Sequence, residues 1–140
     1  MEHLIPYVNL HPWLSLFAVV AAAAVIEFER RWYAQSQAAV SPQQAIRLMN
    51  QGALVVDIRD AASFAAGHIN GARNVSGEDI AAGAESLKRW REKQIVVCCE
   101  RGVTGHAAVR TLGDHGFTKV LNLRGGLAAW RAENLPLAKS

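Results

Sequence analysis

The chain has 140 residues, 51% of them hydrophobic, with a formal net charge of +3 and a sequence pI near 9.2. That length suits one ordinary domain with an appendage, and the scattered Lys and Arg, without interleaved aromatics, argue against a nucleic-acid surface. The two cysteines are adjacent, which rules out a long-range disulfide staple and points to a reducing compartment; no CxxC, HExxH or paired Cys/His spacing is present, so no metal and no cofactor is expected.

At the front, Trp13 to Ile26 form an apolar run with only Ser15 polar, and looser apolar sequence from Leu4 precedes it. Pro12 suits the first turn of a helix. Trp13 and Trp32 would lie ~28 Å apart on a helix rising 1.5 Å per residue, close to the thickness of a bilayer core. Tyr7 and Tyr33 beside them fit interfacial aromatic belts, whereas Glu27 and Glu29 must lie near the headgroups. A cleaved signal peptide and a soluble amphipathic helix are the alternatives, but a signal peptide wants a basic n-region and no Lys or Arg precedes Arg30. Residues 1–33 are therefore expected to form a membrane anchor. By the positive-inside rule Arg30 and Arg31 keep the C-terminal side cytoplasmic and put the N-terminus in the periplasm.

Residues 34–40 read as a linker and 41–140 as the folded domain. "SPQQAIRLMNQG" predicts a helix with Ser41 as N-cap, Pro42 at its first position, Gln44 closing a capping box and Gly52 as its stop. "ALVVDI" is an unalternating apolar run, the mark of a strand covered on both faces. "SFAAG" follows as a helical turn and "ARNV" as a short strand. A longer helix is expected over 79–93, with Ile80, Leu87 and Trp90 inward and "KRWREK" as a solvated face. "QIVVC" is another buried strand, 105–115 a helix, "KVLNL" the last strand and "GGLAAWRAE" a closing helix containing a core Trp130. Strands alternating with helices imply an α/β fold, a parallel sheet with helices on both faces.

Ligands in such sheets gather where strand C-termini meet helix N-termini. Cys99 stands there, followed by the glycine-bearing loop "CERGVTG", whereas Cys98 belongs to the strand and reads as a core residue. Gly102 lets the loop curl and Gly105 lets the helix start unobstructed, so that successive N–H groups can cradle an anion over a nucleophilic thiolate. Two chemistries suit such a cradle: carrying a sulfane sulfur as a persulfide, or taking a phosphoryl or arsenate group.

Three stretches in order carry a resemblance: "VVDIRDAASFAAGHINGARNV", "IVVCCERGVTGHAAVRTL", and "GFTKVLNLRGGLAAW" followed by "NLPL". From about Ser41 to Pro136 the chain resembles a single-domain rhodanese, or sulfurtransferase. With its "HPWLS" and apolar run it is also similar to short bacterial inner-membrane proteins that carry such a domain on the cytosolic side. The resemblance implies that Cys99 is the nucleophile, with Glu100, Arg101, Gly102, Val103, Thr104 and Gly105 forming the substrate-binding loop around a persulfide. It implies a sulfane donor, thiosulfate or a protein persulfide, and a thiol or other nucleophilic acceptor. Asp57 and Arg59, at a strand end, read as a structural pair tying neighbouring loops, and His68 as a turn-holding histidine.

Two positions depart from the family pattern. Thr104 stands where many members place an arginine that would hold an anionic donor, and Glu100 sets a negative charge beside the nucleophile. Thiosulfate is thus expected to be a poor donor and a protein-bound persulfide a better one. A phosphatase or arsenate reductase is disfavoured because Gly105, not arginine, closes the loop. The remaining alternative is a tethered module of the same fold that binds another membrane protein, with Cys99 unimportant.

Overall fold

The computed structural model describes residues 11–140, so Tyr7 and the apolar lead-in over 4–10 lie outside the described residues. The chain divides into two units, meeting between Gln37 and Ala38. In the first, helix α1 (Pro12–Gln37) contains a stretch, Pro12–Tyr33, of 22 residues that is long and apolar enough to cross a membrane and is unburied. On it Glu27, the charge least suited to a bilayer, accepts from Arg31 Nε at 2.9 Å, one turn further along.

The second unit is built on a five-stranded sheet. Its elements are β1 (Ala39–Val40), α2 (Pro42–Asn50), β2 (Leu54–Asp57), α3 (Ala61–Ala66), β3 (Arg73–Asn74), α4 (Gly77–Ala81), a 3₁₀ turn (Glu85–Trp90), β4 (Ile95–Cys98), α5 (Val103–Asp114), β5 (Val120–Leu123) and α6 (Gly126–Ala132). The strand order is β1-β5-β4-β2-β3, every neighbouring pair parallel. The parallel sheet with helices on both faces expected from the alternating pattern is the one observed.

Period-two alternation splits the strands between two cores. Leu54, Val56, Ile95 and Val97 pack with Ile80, Leu87, Ala108 and Leu112 on one face. Val55, Val96 and Cys98 pack with Ala45, Leu123, Leu127 and Trp130 on the other. Cys98 is therefore a core side chain, and burial pushes its thiol well above the ordinary range.

Local signals explain most boundaries. Ser41 and Gln44 form the expected reciprocal capping box at the start of α2. The helix expected over 79–93 is instead broken: α4 ends at Ala81, Gly83 and Ala84 take φ of +103° and +48°, and a 3₁₀ turn follows. Ile80 and Leu87 are still fully buried, because the break changes the path of the chain and not the direction of these two side chains. Within the stretch read as a linker, Ala39–Val40 forms an edge strand in register with Asn122 and Leu123 of β5.

Candidate active site

The C-terminal ends of β2 and β4 meet in register, Asp57 opposite Cys98, so the residues just beyond them share one edge of the sheet. Cys99 leaves β4 there and is 3% exposed. The sulfur is thus a floor, not a surface group. Above it Glu100, Arg101, Val103 and Thr104 are exposed, and Val103 is 73% so.

Gly102 turns the loop back on itself with φ +83°, and its N–H donates to Cys99 Sγ at 3.0 Å. Among the described residues this is the amide in hydrogen-bond contact with the sulfur. Gly102 is also the N-cap of α5, which starts two residues earlier than expected and carries no side-chain cap. First-turn amides of a helix have no partner within it, so this end of α5 presents N–H groups that an anion can accept.

A second glycine turn locks the loop from behind. A side chain at Gly126 would begin 2.3 Å from the Cys99 carbonyl oxygen and 2.6 Å from Gly102 N, and one at Gly102 would begin 2.8 Å from Gly125 N. The two turns therefore pack backbone against backbone. Leu127 N–H donates to Cys99 O at 2.8 Å and Ala128 N–H to Glu100 O at 2.9 Å, pinning the loop to the first turn of α6.

Side chains brace the same loop laterally. Arg59, 8% exposed, gives Asp57 a forked contact through Nε and Nη2, the shortest at 2.8 Å, and donates to Gly67 O at 2.7 Å. Its Nη1 reaches Glu100 at 3.2 Å. The other carboxylate oxygen of Glu100 accepts from Arg131 of α6. Burial pushes the Glu100 carboxyl up, but Arg131 and then Arg59 outweigh it and hold it below the ordinary carboxylate range. The hydrogen bond to Asp57 likewise raises the Arg59 guanidinium, against its burial. The charge beside Cys99 is therefore an internally paired one.

His68 donates from Nδ1 to Phe64 O at 2.8 Å, stacks on the Phe64 ring at 3.8 Å and bridges to Ala138 through its backbone, the contacts of a histidine that holds a turn. Asn74 Nδ2 donates to the carbonyls of Asp57 and Arg59 and fastens β3 to the same corner.

Four contributors were not singled out from sequence: Asn122, Gly125, Gly126 and Arg131. The paired glycines of "NLRGG" were a visible signal; Arg131 carried none. Asn122 is fully buried and donates from Nδ2 to Gly102 O at 2.9 Å, while its Oδ1 has no partner among the described residues. A stranded buried acceptor costs about 1–3 kcal/mol. No cluster able to hold a metal ion occurs among the described residues.

A family model described as a rhodanese-like domain matches residues 41–133, the whole stretch from the α2 cap to the end of α6. The chain belongs to the rhodanese-like sulfurtransferase family. This rhodanese is 30% identical to the protein named YibN of Escherichia coli K12 over 141 aligned positions, covering 99% of each chain. It is 42% identical over 96 positions to thiosulfate sulfurtransferase GlpE of Ectopseudomonas mendocina, covering 66% of this chain and 84% of that one. Among solved structures, the BH2092 protein of Bacillus halodurans superposes with a TM-score of 0.67 at 26% identity, covering 81% of this rhodanese and 85% of its own chain.

Proposed function

We propose that this rhodanese is a membrane-anchored sulfurtransferase that takes a sulfane sulfur onto Cys99 and passes it to a thiol or other nucleophilic acceptor. The observation that carries the reading is the strand–cysteine–glycine turn–helix arrangement, with Gly102 N–H on Cys99 Sγ at 3.0 Å. The Cys99 thiolate attacks the outer sulfur of the donor; the S–S bond of the donor breaks and its electron pair leaves with sulfite or with the donor thiolate. The new Cys99 persulfide, held by loop amides between Glu100 and Gly105, is then attacked at its outer sulfur by the acceptor thiolate, and Cys99 leaves as thiolate again.

Cys99 is buried beneath the loop, which suits a donor that presents its outer sulfur on a narrow terminus. With Thr104 and not arginine on the rim, the loop offers little grip on a free dianion, which favours a protein-bound persulfide over thiosulfate. Arg101, exposed on the same rim, is the loop's own cation.

The helix over Pro12–Tyr33 supports a single-pass anchor in a bacterial inner membrane, with the N-terminus periplasmic and the rhodanese domain cytoplasmic. The low exposure of Cys99 together with the exposed apolar Val103 favours one second reading, a tethered module that binds another membrane protein through the loop rim.

Intact mass after incubation with thiosulfate, or with a protein persulfide, separates the two. Gain of one sulfur, lost in Cys99→Ser and kept in Cys98→Ser, supports transfer; no gain from any sulfane donor favours the module. For topology, an impermeant thiol probe is expected to leave a Ser140→Cys variant unlabelled in intact cells and to label it after permeabilisation.

A further inference from the structure

Two hydrogen bonds lead from β5 to the reactive sulfur. Asn122 Nδ2 donates to Gly102 O at 2.9 Å, and Gly102 N–H donates to Cys99 Sγ at 3.0 Å. The same Nδ2 lies 3.3 Å from His106 Nε2 on α5. Asn122 Oδ1, without a partner among the described residues, lies 2.0 Å from where a side chain at Gly105 would begin.

An apolar residue at this fully buried position would take away the side-chain donor to Gly102 O, so what the amide supplies here is a partner for that carbonyl. What it holds is a peptide plane. Because the peptide joining Gly102 to Val103 is planar and trans, tying its carbonyl to Asn122 turns the Val103 N–H the opposite way. The donor also fixes which way the amide faces, since Gly102 O can only accept.

We propose that Asn122 is a positioning residue for Cys99: its side-chain amide fixes the Gly102 carbonyl and so holds in place the residue whose N–H meets the sulfur. Gly105 is a glycine because that amide needs the space. This role rests on the reading of Cys99 as the sulfur-carrying nucleophile, but its test reads thiol chemistry directly.

The test follows alkylation of the full chain in detergent by iodoacetamide across pH, with label at Cys99 located by peptide mass. The midpoint of the pH curve is read, not the plateau, so that a looser loop admitting reagent faster does not count. His106, Glu100, Arg59 and Arg131 stay unchanged throughout. Asn122→Ala is expected to move the midpoint up by about one unit, a tenfold loss of thiolate at pH values below it. Gly105→Ala, which keeps the amide but displaces it, is expected to do the same. In the double variant the shifts are expected not to add, because the new methyl then pushes on a group already removed. If Asn122→Ala fails to fold by near-UV circular dichroism, Gly105→Ala alone carries the test, since alanine is otherwise favoured in a helix.

Unchanged midpoints in folded variants, or fully additive shifts, overturn the proposal. If the midpoints shift while the wild type takes up no sulfur from any donor, Asn122 still positions the thiol and it is the transfer reading that falls.

Discussion

Arg59, buried beside the end of β2, reaches Glu100 at 3.2 Å and so connects the Asp57 corner to the residue that follows Cys99. From sequence, Glu100 was a charge in the wrong place; in the folded chain Arg59 and Arg131 both face it. The two contacts tie the residue that follows Cys99 to the ends of β2 and α6.

Glu100→Gln is expected to lower stability at pH 7 by about 1 kcal/mol, the scale of a half-exposed ion pair, or several degrees in the melting temperature of a domain this size. Because Arg131 and Arg59 hold the folded-state carboxyl below the ordinary value of 4.5, the difference from wild type is fully present above that value. It is lost as pH falls through the lowered folded-state value. Melting curves of both forms between pH 3 and 7 check it. A difference that persists undiminished at the acid end would show that the pairs are not its cause.

Asp57→Ala removes the partner of a nearly buried guanidinium and is expected to cost about 3–5 kcal/mol. Arg59 would keep Gly67 O and Glu100 but lose its forked contact. Urea unfolding followed by near-UV circular dichroism measures the loss, and a change under 1 kcal/mol would contradict the pairing.

Much of this corner was legible in the chain. "ALVVDI" and "QIVVC" announced buried parallel strands, and the Ser41–Gln44 box gave the α2 start, because these signals are local. The edge strand Ala39–Val40 was not, since two residues set no period and only pairing with β5 makes them a strand. The break at Gly83–Ala84 overrode a helical pattern that remained correct in which side chains it buried. Arg131 lies 31 residues from Glu100, and no spacing rule joins two residues brought together by packing α6 under the loop.

Gly126→Ala places a methyl against the Cys99 carbonyl at a residue with φ +59°. Strain of this kind costs about 1–3 kcal/mol before the clash is counted. The variant is expected to unfold at lower urea and to lose Cys99 alkylation specificity, whereas Gly52→Ala, also at positive φ but with open space around it, is expected to lose stability alone.

Thr104→Arg is expected to lower KM for thiosulfate several-fold with kcat changed less, since an exposed cation on the rim adds ground-state grip on a dianion. Steady-state kinetics with thiosulfate and cyanide measures the split; an unchanged KM would show that position 104 does not set the grip on this donor.

The interlocked turns at Gly102 and Gly125–Gly126 meet through main-chain atoms and leave the side chains of Arg101, Val103 and Thr104 on the outside. A vessel whose walls are peptide groups keeps its form when its lip is rewritten. Substitutions at those three positions are thus expected to change the rim chemistry while the turns beneath stay as they are.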